Sequence, residues 1–201
     1  MLLCSEILIA IYRFLPLLQN RLYMAKLYIN KDIVADKDKM ENWYLTGEEG
    51  LSFPDIQNFL SWIDPNDHVI DIEIHSCGGD AVEGYAIYDA LRASGKQISC
   101  TAVGRCASMA TVILLAAAKE RRFAYPHAKF LIHKPYMASY DGDLDLETLE
   151  SIKSNLESEK NKMLALYVER TGSEASVIEA QMNKAGWFGG ETAKQLGFIT
   201  T

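Results

Sequence analysis

Twice in this chain a β-rich run breaks at small residues and becomes a helical pattern. The first is "HVIDIEIHSCGGDAVEGYAIYDAL", residues 68–91, and the second is "QISCTAVGRCASMATVILLAAA", residues 97–118. Two strand–turn–helix units in a row restrict the chain to an α/β fold with a largely parallel sheet. The flanking segments agree. "KLYINKDIV" reads as a strand. "SFPDIQNFLSWID" reads as a helix capped by Ser52, with Pro54 in its first turn and an apolar face of Ile56, Phe59, Leu60 and Ile63. In the first unit Ala86, Ile87, Ala90 and Leu91 recur at helical spacing, and Gly95 supplies a stop. "RRFAYPHAKFLIHKP" holds one or two short strands around Pro126. A long helix follows over "LDLETLESIKSNLESEKNKMLALYVERTG", with a stripe of Leu149, Ile152, Leu156, Met163, Leu166 and Tyr167. Its charged early part fits a helix that projects or pairs with another subunit, or else a solvated surface helix. The last stretch predicts a short helix, a Trp-Phe anchor, another helix and a final strand.

Open parallel sheets bind ligands beyond the carboxyl ends of their strands. Both turns lie at such ends, Gly78-Gly79 in one and Gly104 to Ser108 in the other. A serine at a helix start sits among free N–H groups and the positive end of the helix dipole, an environment suited to a developing oxyanion. Serine needs a base to become a nucleophile, and His133 in "FLIHKP" follows a strand run 25 residues on. Taken singly, Ser108 reads as a helix cap, His133 as a structural histidine and Gly-Gly as a turn.

Taken together, these segments resemble the Clp protease proteolytic subunit family and its phage-type relatives, over roughly residues 26–200. "GRCASMATVILLAAA" is similar to the family's nucleophile segment and "RRFAYPHAKFLIHKP" to its histidine segment. "IHSCGGDAVEGYAIYDAL" is similar to its Gly-Gly segment, and "WFGGETAKQLGFIT" to its C-terminal block. The resemblance implies a ClpP/crotonase-type fold, a repeated β-β-α spiral with a projecting handle helix at about 141–171. It implies Ser108 as nucleophile, His133 as general base and later acid, the N–H groups of Gly79 and Met109 as oxyanion hole, and Gly78 and Gly79 lining the substrate cleft. It further implies stacked rings, heptameric in the family, and an AAA+ unfoldase that feeds unfolded polypeptide into a chamber.

One position departs from the family. The acid that completes the triad stands two residues before an aromatic, and here that residue is Ala185, ahead of Trp187. Alanine cannot orient an imidazole. Gln181, Asn183, Asp141 and Asp143 are the candidate stand-ins. His75 and Cys77 stand where the family has Asn and Pro. The expected activity is that of a serine-type endopeptidase. The alternatives are a weak or inert scaffold subunit of the same fold, or a phage-type prohead maturation protease.

The remaining observations exclude classes. A formal net charge of −7 argues against nucleic-acid binding. Cys4, Cys77, Cys100 and Cys106 form no CxxC pair, which suits a reducing cytoplasm and gives no metal site. No P-loop is present, so no nucleotide cofactor is expected. The opening "MLLCSEILIAIYRFLPLL" is a poor membrane span, interrupted by Glu6, Arg13 and Pro16. Residues 1–23 are read as a leader or upstream extension, or else as a docked amphipathic helix, ahead of one domain over 24–201.

Overall fold

The computed structural model describes residues 24–137, Tyr140 and residues 142–201. The expectations for residues 1–23 and for Asp141 lie outside the described residues. Six strands form one sheet: β1 (Met24–Ile29), β2 (Val69–Ser76), β3 (Gln97–Ala107), β4 (Arg122–Ala124), β5 (Lys129–Leu131) and β6 (Phe188–Gly189). Their order is β1-β2-β3-β5-β6, with β4 also paired to β3. All pairings are parallel except β5 with β6. The helices are α1 (Lys39–Thr46), α2 (Phe53–Trp62), α3 (Ala81–Ala93), α4 (Met109–Leu114), α5 (Leu146–Thr171), α6 (Ala175–Lys184) and α7 (Gly190–Gln195).

Strand alternation builds the core. Ile70, Ile72 and Ile74 of β2 are fully buried, while the residues between them are only half-buried. Each such Ile contributes about 1.5–3 kcal/mol by leaving water. The apolar run after Ser108 is buried throughout as α4, which makes it a core helix and not a surface one. β3 is long enough to serve two partners. Cys100–Ala102 pair with β4, and Arg105–Ala107 pair with β5. Between these halves the β2 register shifts, and the ring of His75 lies over Gly104, where a Cβ would meet Nδ1 at 2.3 Å. Gly104 therefore permits the bend that aims the end of β3.

The C-terminal end of α4 is fastened by two arginines. Buried Arg122 donates from Nε to the Ala117 carbonyl at 2.9 Å and from Nη1 to the Arg170 carbonyl at 2.8 Å. Arg170 donates to the Leu115 and Ala117 carbonyls at 3.0 and 2.9 Å. Burial, with Arg170 nearby, lowers the Arg122 guanidinium to about 10. These bonds satisfy carbonyls that a helix end leaves orphaned, and they lock α4 to α5.

Several sequence expectations are corrected. The final strand is absent: the chain end bonds to β4 through Thr200 N–H to Arg122 O and Ala124 N–H to Thr201 O, without becoming a strand. Of the Trp-Phe anchor only Phe188 is buried, stacked on Phe130, while Trp187 stays half exposed. On α3 the buried face is Gly84, Tyr85, Ile87 and Leu91, and Ala86 and Ala90 lie at its margin. On α5 only Met163, Tyr167 and Thr171 are buried, and its first half stands in solvent. The helix α1 was not foreseen. Its sequence, "KMENWYLT", has no buried residue and hence no core-facing stripe to read. Among the described residues, no helix is long and apolar enough to cross a membrane.

Candidate active site

Three neighbouring parallel strands, β2, β3 and β5, deliver the candidate residues at their carboxyl ends. β2 is followed by Gly78-Gly79, β3 by Ser108 and β5 by His133. The β3–β5 register pairs Ala107 with Leu131, and Ser108 N–H donates to the Leu131 carbonyl at 2.8 Å. That register brings His133, two residues past Leu131, to the serine. His133 Nε2 lies 2.9 Å from Ser108 Oγ.

Ser108 adopts φ 52°, ψ −127°, left-handed territory that a non-glycine residue rarely enters. Such a conformation costs about 1–3 kcal/mol, and here the surroundings impose it. The Ser108 carbonyl accepts from Thr111 N–H at 2.9 Å and from Thr111 Oγ1–H at 2.6 Å. The strand-to-helix turn so formed holds Oγ out of the chain's path, as a nucleophile elbow does.

The glycines are required by space and by φ. At Gly78, φ 87°, a Cβ would stand 2.6 Å from the Ala107 carbonyl oxygen and 2.7 Å from Met109 N. At Gly79, φ 146°, a Cβ would meet the Ile33 carbonyl oxygen at 2.0 Å. Ile33 bridges this loop by donating to Gly78 O and accepting from Asp80 N–H, each at 2.8 Å. Gly78 N–H donates to Ser76 Oγ at 3.0 Å. The backbone of Gly78 thus packs directly against the turn that carries Ser108 and Met109, and that of Gly79 against Ile33.

A cleft of about 780 Å³ opens here, lined by Ser108, His133, Gly78, Gly79, Met109 and Cys77, among others. The long helix adds Leu156 and Met163, and α1 with its approach adds Asp38, Glu41, Asn42 and Leu45. Asp38 and these α1 side chains are among the site residues that the sequence reading missed.

Ala185 is exposed, caps α6 at φ 47°, ψ 36°, and borders a recess of about 500 Å³ with His133, Lys134, Met182 and Asn183. Gln181 is turned elsewhere: its Nε2 donates to the Gly186 carbonyl at 3.3 Å. Asn183 is exposed on the recess wall, and Asp143 is exposed. No bond from any of the three to His133 is observed among the described residues. His133 Nδ1 instead lies 2.6 Å from the backbone carbonyl of Lys134. The Tyr136 ring lies against the imidazole, centroids 5.5 Å apart.

Apart from Cys77, the other titratable candidates stand outside the cleft. His75 lies 3.5 Å from Arg105 Nη2, and no group of side chains suited to a metal ion occurs among the described residues. Cys77, Cys100 and Cys106 are free thiols. Burial pushes the Cys100 thiol up to about 12 and raises Cys106 strongly as well, so neither is a nucleophile.

Comparison with known proteins shows the family of the chain. The Clp protease family model matches residues 55–201. The ATP-dependent Clp protease proteolytic subunit 1 of Chlamydia abortus is 30% identical over 145 residues, covering 70% of this chain and 72% of that protein. Its counterpart in Chlamydia caviae is 32% identical over 130 residues, covering 63% and 65%. A solved ClpP1 mutant from Listeria monocytogenes superposes with a TM-score of 0.69 at 20% identity, covering 92% of both chains. The chain belongs to the Clp protease family and is a ClpP-like serine protease.

Proposed function

We propose that this chain is a serine endopeptidase whose nucleophile is Ser108 and whose general base is His133. The 2.9 Å contact between Ser108 Oγ and His133 Nε2 carries this reading. As Ser108 Oγ attacks the scissile carbonyl, its proton passes to Nε2 and the carbonyl π pair moves onto oxygen. The oxyanion is received by the backbone N–H groups of Gly79 and Met109, two residues that line the cleft with Ser108. The tetrahedral adduct then collapses. The C–N bond breaks, Nε2 returns the proton to the leaving amine, and an ester on Ser108 remains. A water, deprotonated by His133, attacks that ester and restores the free serine and acid.

An extended substrate backbone fits the cleft beside Gly78 and Gly79 by main-chain hydrogen bonding. In this proposal the exposed first half of α5 serves as the handle through which rings of identical subunits stack, as heptamers fed by an AAA+ unfoldase. Unfolded polypeptide is the substrate, and the reducing cytoplasm its place.

The test is labelling with a fluorophosphonate, read by mass spectrometry. Modification confined to Ser108 and lost in Ser108→Ala supports the reading. Folded, assembled protein that takes no label rules it out.

A further inference from the structure

The role that the family gives to an acid has a different occupant here. The Lys134 carbonyl lies 2.6 Å from His133 Nδ1, on the side of the ring opposite Ser108. A carbonyl oxygen can only accept, so Nδ1 carries the hydrogen and Nε2 is left with its lone pair. That is the tautomer able to take a proton from Ser108. Resting on the Ser108–His133 reading, we infer that the Lys134 carbonyl is the positioning group for His133, fixing its tautomer and aim without a carboxylate.

The chain is built to hold that carbonyl. Lys134 precedes Pro135, and a residue before proline is confined to extended conformations. Its carbonyl direction is thereby set by sequence. On the other side, buried Ile132 anchors the strand end, and the Tyr136 ring covers the imidazole. The Lys134–Pro135 carbonyl belongs to a tertiary amide, whose oxygen is a good acceptor.

The consequence is a division of the acid's two tasks. Replacing a triad Asp by a residue that selects the wrong tautomer costs about 10⁴-fold in turnover. Here the tautomer is right, and among the described residues a neutral carbonyl, not a carboxylate, is bonded to the imidazole. The proton relay therefore works, with less charge stabilisation than a full triad has. Ala185 sits in left-handed backbone at the edge of the same recess. Aspartate tolerates that conformation well, so a carboxylate can be introduced there as a competing orienting group.

The test is a double-mutant cycle on Pro135 and Ala185, read as the second-order rate at which a small alkyl fluorophosphonate acylates Ser108. Pro135→Gly releases the Lys134 carbonyl and is expected to slow acylation by about 10²-fold, the cost of a misplaced catalytic group. In the Ala185→Asp background the same change is expected to cost almost nothing, because the carboxylate then holds Nδ1. Equal losses in both backgrounds mean that Pro135 acts only through loop structure, and the inference fails while the peptidase reading stands. No acylation in any variant, Ala185→Asp included, removes the peptidase reading and this inference with it. Thermal unfolding of all four proteins separates a slow site from a chain that has lost its fold.

Discussion

The Tyr167 hydroxyl lies 2.7 Å from the Thr111 hydroxyl, in the buried contact between α5 and α4. Thr111 spends its hydrogen on the Ser108 carbonyl, so Tyr167 is the donor of the pair. The long helix thus supports the nucleophile turn through one hydroxyl. Burial, foremost, raises the Tyr167 phenol well above its ordinary value, so it stays a donor at every working pH.

Thr111→Val is expected to destabilise the protein by about 1–3 kcal/mol, because it strands a buried Tyr167 donor. It should also slow Ser108 acylation, since one restraint on the strained serine is lost. Tyr167→Phe removes the donor but leaves the Thr111–Ser108 bond, and costs about 1 kcal/mol with acylation little changed. Urea unfolding and fluorophosphonate labelling of both variants check the pattern. The reverse ranking of labelling rates would break the proposed order of support.

The glycines make a second, sharper contrast. An alanine at Gly78 must push its Cβ against the Ala107 carbonyl and Met109 N, both backbone atoms with nowhere to go. Gly78→Ala is expected to lower peptide hydrolysis by about 10²-fold or more, because the turn under Ser108 has to shift. Gly95 also has positive φ, 70°, but nothing stands within 4 Å of a Cβ there. Gly95→Ala should cost only the conformational penalty of about 1–2 kcal/mol and leave hydrolysis intact. Similar activity losses in the two variants would contradict the packing argument.

These contrasts also explain what the sequence could disclose. Period-two burial in β2 and the strand–turn–helix breaks are local, so both units and their glycines could be read directly. The 25-residue step from Ser108 to His133 was legible through the family resemblance, and the β3–β5 register makes it physical. Ala185 was legible as a departure, but its replacement was not. A backbone carbonyl has no residue signature, and the bond from His133 to Lys134 depends on how one loop bends after β5. The end of the chain was misread for a related reason. "GFIT" has strand-like residues, yet Phe198 and Ile199 are buried as a packed tail hydrogen-bonded beside β4. α1 escaped because its apolar residues, Met40, Trp43, Tyr44 and Leu45, are all exposed, and a helix without a buried face leaves no periodic mark.

The start of α2 gives a pH-dependent prediction. Asp55 accepts from Ser52 N–H at 2.8 Å and from Lys39 Nζ at 2.8 Å. Burial alone would raise its carboxyl, but the Lys39 ammonium and the Ser52 N–H outweigh that and hold it below the usual carboxylate range. A depressed value in the folded state means that the unfolded chain binds the proton more readily. The stabilisation is therefore complete above the unfolded pKa of about 3.9, and is lost as pH falls through the folded value. Asp55→Asn should be less stable than the parent at neutral pH, and the gap should close in acid. A gap that stayed constant from neutral to strongly acidic pH would show that the carboxylate is not its source.

The last prediction concerns what the cleft prefers. Asp32, Asp38, Glu41 and Asp80 line it, and among the described lining residues there is no Lys or Arg. Three of the four precede α2, in the part of the chain ahead of the family match. Acidic walls around a cleft concentrate cationic ligands and speed their encounter by about tenfold or more at low ionic strength. A peptide with Lys flanking the scissile bond should therefore have a higher kcat/KM than its Glu counterpart, with the difference mainly in KM. The effect should shrink once added salt brings the Debye length to about 10 Å or less. Asp38→Lys combined with Glu41→Lys should invert the preference while leaving Ser108 labelling by an uncharged fluorophosphonate unchanged, since neither residue touches the reacting atoms. Hydrolysis indifferent to peptide charge at low salt would mean that the polypeptide runs past these side chains without meeting their field.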